Sequence, residues 1–256
     1  MAVRTKGKTM KQSGFTLAEI AIVLVIVGIM LAGGLGAFKA QSDAQRSNEG
    51  RSQLAEIKES LLGFAVQNGY LPCPANPALT TYLEDRAANG SCNRAQGTIP
   101  GATLGLAKST DPYGQAFIYR VTSDFADNGP PSVPAAVTDS NQTLAGCPAG
   151  SIAPVGMSFM LCSRGDIDIF ATAAAATPLA AQVVAVIVMP FRHGPPNGSA
   201  GSADEQENTS INTRFVSKLR VDDDTATGAD EEYDDITEWI SPATLIAKML
   251  AAGKLP

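Results

Sequence analysis

Between Phe15 and Phe38 run 24 residues with a single charged side chain, Glu19. As a helix rising 1.5 Å per residue, that run spans the roughly 30 Å hydrocarbon core of a bilayer. A carboxylate inside such a segment costs about 3 kcal/mol on insertion scales, so it is expected to have a partner and a purpose. Arg4, Lys6, Lys8 and Lys11 all lie on the N-terminal side. The positive-inside rule then places residues 1–14 in the cytoplasm and the rest of the chain outside. A secretory signal peptide also starts this way, and "LAGGLGAFKA" at 31–40 could serve as its small-residue cleavage site. The length of the apolar run and the position of Glu19 weigh against that reading.

The helical pattern does not stop at the apolar run. In "SQLAEIKESLLGFAVQNG", Leu54, Ile57, Leu61, Phe64 and Ala65 fall on one stripe. One helix is therefore expected from about Phe15 to about Gln67, apolar all round in its first half and amphipathic in its second. Gly33, Gly34 and Gly36 soften it midway, each at up to about 1 kcal/mol relative to Ala.

The formal net charge of −6 hides an asymmetry. The first 14 residues are purely basic, whereas residues 204–238 carry 12 of the 25 acids against three bases. Nucleic-acid binding depends on neutralising phosphates with Lys and Arg, so a body this acidic is not expected to bind nucleic acid. The four cysteines, Cys73, Cys92, Cys147 and Cys162, contain no C-x-x-C pair, and the one histidine, His193, is distant in sequence. That spacing disfavours zinc. Locality favours two disulfides, Cys73–Cys92 and Cys147–Cys162, one of three possible pairings. Disulfides imply an oxidising compartment.

A short basic leader ending in Gly14, then Phe15, Thr16, Leu17 and Glu19 ("SGFTLAEI"), followed by an uninterrupted apolar helix, resembles the processing signature of type IV pilins and pseudopilins. The resemblance implies cleavage after Gly14 by a prepilin peptidase and methylation of the new amine on Phe15, with the apolar helix retained. It also implies that Glu19 meets the N-terminal amine of a neighbouring subunit in a filament core. Opposite charges in low dielectric attract strongly, and either alone is costly there. Family leaders are often shorter than 14 residues, and a start at Met10 gives the shorter "MKQSG". Many pilins carry a proline near the position of Gly36; here the glycine supplies the flexible point.

The remainder reads as a turn-rich α+β body. "NGYLPCPANP" forms the exit from the helix. Asp111-Pro112-Tyr113-Gly114 has the residues a type I turn prefers, and it resembles the D-P-W-G-type segment of pseudopilins with tyrosine for tryptophan. Phe117, Tyr119 and Val121 alternate as one face of a strand. Further strands are expected at 157–162, 167–172, 183–189 and 215–221. Of these, "QVVAVIVM" is apolar on both faces and is expected at the buried centre of the sheet. A short strand around Trp239 follows. A final helix has Ser241 as N-cap, Pro242 at its first position, an apolar stripe of Leu245, Ile246, Met249 and Leu250, and Gly253 as its stop. Residues 127–142 and 192–210 read as exposed loops. The order of these segments is similar to that of large bacterial pilin-like proteins described as prepilin-type or secretion-system proteins.

No G-x-S-x-G elbow, P-loop or H-E-x-x-H motif is present, His193 sits in a Gly-Pro loop, and an enzyme is not expected. The acidic tract is the candidate ligand site. Asp222, Asp224, Asp230, Asp234 and Asp235 offer the hard oxygen ligands calcium prefers, although the spacing fails the EF-hand loop at Ala226 and Thr227. Some major pseudopilins hold calcium near this part of the chain; a solvated acidic loop is the competing reading. Asp204, Glu205 and Glu207 form a second, weaker patch.

The expectation is a pilin-like α+β protein with a leader at 1–14, a membrane and filament-core helix at 15–38, its amphipathic continuation at 39–67, and a globular domain at 68–256. In it the long helix packs on an antiparallel sheet with a short C-terminal helix. The implied partners are other pilin or pseudopilin subunits, the prepilin peptidase and methyltransferase, and an inner-membrane assembly platform. The implied location is the inner membrane, single-pass, with the body periplasmic. A subunit of a type IV pilus or type II secretion pseudopilus, of minor rather than major type from its length, is the leading function. A tip adhesin or calcium-dependent binding protein on the same anchor is the alternative, and a membrane-anchored enzyme ranks last.

Overall fold

The computed structural model describes residues 16–127, 144–148, 151, 153–154, 156–191, 201–221 and 232–255, excepting the side chains of 31–40. The first element, α1 (Leu17–Asn68), is 52 residues long and runs through the three glycines without a break in the helix. Two compact units divide it, Met1–Ser47 and Asn48–Pro256.

In the first unit every side chain from Thr16 to Met30 is exposed, and among the large apolar ones Leu17 and Met30 lead at 87% and 72%. The expected membrane segment at 15–38 lies only partly among the described residues. Its described apolar side chains run from Leu17 to Met30, about 21 Å of helix and short of a bilayer core. No helix is long and apolar enough among the described residues to cross a membrane.

The second unit is layered. Its elements in chain order are the C-terminal part of α1, β1 (Gln96–Thr98), α2 (Gly101–Leu104), β2 (Ile118–Val121), α3 (Ser123–Ala126), β3 (Ile167–Phe170), β4 (Ala180–Val183), β5 (Ala185–Met189), α4 (Ala203–Thr209), β6 (Arg214–Val216), β7 (Ile236–Ile240) and α5 (Pro242–Ala251). Strands β1-β2-β5-β7 form one antiparallel sheet, and β4-β3-β6 form a second. The expected single antiparallel sheet is therefore corrected to two sheets, and in the second β6 runs parallel to β3.

The doubly apolar β5 explains the layering. Ala185, Ile187 and Met189 face Leu54, Ile57, Leu61, Leu62 and Ala65 of α1, together with Tyr119, Val121, Leu245 and Met249. Val186 and Val188 face the other way, against Ile167, Ile169, Val183 and Phe215 of the second sheet. A strand buried on both faces needs a layer on each side.

Two local expectations are overturned. Residues 157–162 form no strand: Met157 and Phe159 alternate into the core, but the backbone closes local turns, Met157 N–H to Pro154 and Ser163 N–H to Met160. The expected loop at 192–210 contains α4. The loop expected at 127–142 lies almost wholly outside the described residues. The termini of α5 behave as expected. Ser241 Oγ accepts the Thr244 N–H at 3.1 Å, and Gly253 turns the chain out of α5 at φ +67°.

Both disulfides take the local pairing, Cys73–Cys92 and Cys147–Cys162. The first closes a loop whose other clamp is Arg86. Its guanidinium donates to the carbonyls of Gly90 and Ala126, pairs with Glu84 and lies over the Tyr70 ring.

Candidate functional site

The N-terminal end of α1 carries the first candidate. Thr16 is the residue before the first helical position, so Glu19 stands at the third position of the helix. Thr16 donates both its N–H and its hydroxyl to Glu19 Oε2, each at 3.0 Å, and Glu19 N–H donates back to Thr16 Oγ1 at 3.3 Å. This reciprocal arrangement is a capping box, which satisfies helix-end donors that otherwise have no partner. Gly14 and Phe15 lie outside the described residues.

The acidic tract resolves differently from its sequence pattern. Asp222, Asp224 and Asp230 lie outside the described residues, as does His193. Asp234 and Asp235 are buried, and a third carboxylate, Glu205 of α4, joins them, with ligand atoms of all three within 4.8 Å of one another. Asp234 N–H donates to Glu205 Oε1 at 3.0 Å, and Asn208 Nδ2 donates to Asp235 Oδ2 at 2.8 Å. Asn208 also accepts the Val216 N–H, and the hydroxyls of Tyr233 and Thr237 donate to the Val216 carbonyl. Side chains thus occupy the outer edge of β6, where another strand would otherwise pair. Burial, together with the charges of Glu205 and Asp234, raises the Asp235 carboxyl well above its ordinary range; the Asn208 bond opposes this only in part.

The second acidic patch is dispersed. Asp204 pairs with Lys218 and caps Ala173 N–H, Glu207 pairs with Arg214, and only Glu205 turns inward. Sequence reasoning missed the grouping of Glu205 with Asp234 and Asp235. The available signal was Ser202-x-x-Glu205, the pattern that opens a helix, here α4.

A fourth buried carboxylate, Asp111, holds the Asp111–Gly114 turn. Asp111 Oδ1 accepts the Tyr113 and Gln115 N–H groups, both at 2.8 Å. Oδ2 is buried without a hydrogen-bond partner among the described residues. Burial outweighs the amide hydrogen bonds and pushes the carboxyl up to about 6.

These features define an α+β protein with a capped, apolar, exposed N-terminal helix and a disulfide-bonded body. Residues 9–35 match the family model described as the prokaryotic N-terminal methylation motif. The chain therefore carries the signature of type IV pilins and pseudopilins, a class of structural proteins. No solved structure matches the chain.

Proposed function

We propose that this chain is a minor pilin or pseudopilin subunit. It is cleaved after Gly14 by a prepilin peptidase, methylated on Phe15, and assembled through its N-terminal helix into a type IV pilus or type II secretion pseudopilus. Before assembly it resides in the inner membrane with its body in the periplasm, and it engages other subunits and an assembly platform. Its role is structural rather than catalytic, and Glu19 pairs with the N-terminal amine of a neighbouring subunit.

The observation that carries this reading is the methylation motif at 9–35, ending in a helix whose exposed face is apolar from Leu17 to Met30. The two disulfides agree with an oxidising compartment. The test is the N-terminal mass of the protein extracted from membranes containing the peptidase. A chain starting at N-methylated Phe15 is expected. A chain starting near Lys39, or retaining Met1 or Met10, overturns the reading.

A second reading, a calcium-dependent binding protein on the same anchor, is favoured by one observation, the buried grouping of Glu205, Asp234 and Asp235. Carboxylate oxygens are the ligands calcium selects. On that reading, millimolar calcium raises the unfolding temperature over an EDTA control and Asp235→Asn abolishes the rise. An unchanged unfolding temperature sets it aside.

A further inference from the structure

We infer that Thr16 is the positioning residue for Glu19, holding one carboxylate oxygen so that the other is presented to an incoming ammonium group. The inference rests on the proposed function and concerns the same contact. Both donors of Thr16 converge on Oε2. Oε1 accepts no hydrogen bond among the described residues. A carboxylate has about four lone-pair sites, so the cap leaves acceptor capacity for a cation. An ionised carboxylate in an apolar environment is costly when alone. Thr16 lowers that cost before a partner arrives, without consuming the face the partner needs.

Preordering matters because a free glutamate side chain loses rotamer freedom when it is fixed in a contact. Thr16 has already fixed it: two hydrogen bonds to Oε2 set the direction of the carboxylate, and a third, from Glu19 N–H to Thr16 Oγ1, fixes the hydroxyl that makes one of them. The role needs a donor at position 16, not only a helix cap. Asparagine and aspartate cap helices about equally well through a side-chain oxygen. Only asparagine also carries N–H groups to give to Glu19; aspartate offers acceptors alone and repels the carboxylate.

The test uses the full chain with its peptidase and assembly machinery, comparing Thr16→Ser, Thr16→Asn, Thr16→Asp and Thr16→Val. Each variant is read for N-terminal mass and for the fraction of the membrane pool recovered in sheared filaments. Ser and Asn are expected within about twofold of the parent. Val and Asp are expected to lose about tenfold in filament fraction, the weight of one hydrogen bond to a charged group, while still starting at Phe15. Equal assembly of the Asn and Asp variants shows a helix cap alone and overturns the inference, as does parental assembly of Val. A parent chain that is not processed at Phe15, or yields no filaments, instead overturns the proposed function and this inference with it. A processed, assembling parent with indifferent variants overturns the inference alone.

Discussion

Replacing Asp111 with asparagine should flatten the pH dependence of stability. The side chain is buried, and its carboxyl is raised from 3.8 to about 6 in the folded protein. A group whose folded pKa is raised contributes stability that is fully present below the unfolded pKa and is lost as pH rises through the folded one. Here that window runs from about pH 4 to pH 6.5. Between pH 4.5 and pH 7.5 the group should cost the folded state about 2 kcal/mol. Asparagine keeps an oxygen for the Tyr113 and Gln115 N–H groups and does not titrate. Urea unfolding of the full chain in mild detergent, at both pH values, measures the effect. The loss of stability between pH 4.5 and 7.5 should be about 2 kcal/mol smaller in Asp111→Asn than in the parent. Other carboxylates titrate in the same range but cancel in the difference. Equal losses in the two proteins would show that the buried turn tolerates the ionised carboxylate, and the argument from desolvation would fail.

Asp235→Asn should stabilise the body in EDTA at pH 8, by an amount that fades on acidification, because the Asp235 carboxyl is raised by burial beside Glu205 and Asp234; thermal unfolding at pH 5 and pH 8 checks this. Ser241→Ala should cost about 1 kcal/mol in urea unfolding through loss of the cap on Thr244 N–H. Gly69→Ala should cost more than the ordinary point mutation, upward of about 3 kcal/mol. Gly69 sits at φ +85°, and a Cβ there would lie 1.9 Å from the Gly156 carbonyl oxygen; a unchanged urea midpoint would refute that geometry.

What was legible in the sequence depended on whether the signal was local. The run "VVAVIVM" announced β5 because no polar residue interrupts it, although the strand expected at 183–189 is divided, Val183 closing β4 and β5 starting at Ala185; the Ser241, Pro242 and Gly253 punctuation fixed α5. Both disulfide pairings followed from closeness in the chain. The second sheet was not legible. Strand β4, "AAQV", has no alternating pattern, and Gln182 within it takes φ +57°, which breaks regular pairing. The parallel contact of β3 with β6 joins Ile169 to Phe215 across two intervening strands and α4, a register that no nearby turn specifies. Residues 157–162 misled for the opposite reason. Met157 and Phe159 have a strand's spacing because both reach the core, but the backbone closes turns at Met157 and Ser163 and forms no strand. Charge density along the chain does not reveal the acidic grouping, because Glu205 reaches Asp234 and Asp235 only through the fold.

The two stretches of α1 obey different physical requirements. Within Asn48–Asn68, Leu54, Ile57, Leu61, Leu62 and Ala65 are covered by the sheet and by α5, so the apolar stripe is consumed by the body itself. Between Leu17 and Met30 nothing in the described chain covers Ile20, Ile22, Leu24, Ile26 or Ile29, each at least 48% exposed. Burying one such side chain is favourable by about 1.5–3 kcal/mol, so five of them represent on the order of 10 kcal/mol of gross driving force for association with apolar surroundings. That force is non-directional, since lipid tails and neighbouring helices satisfy it equally. Directionality has to come from a polar group, and Glu19 is the only ionised side chain in the run. On the proposed reading the apolar face therefore supplies the affinity of the helix for its surroundings, whereas Thr16 and Glu19 supply the axial register. Replacing Ile22 by leucine should accordingly leave filament recovery nearly unchanged, because area is conserved, while Glu19→Gln should abolish recovery although the helix remains as apolar as before. Filaments formed as readily by Glu19→Gln as by the parent would show that register comes from packing alone.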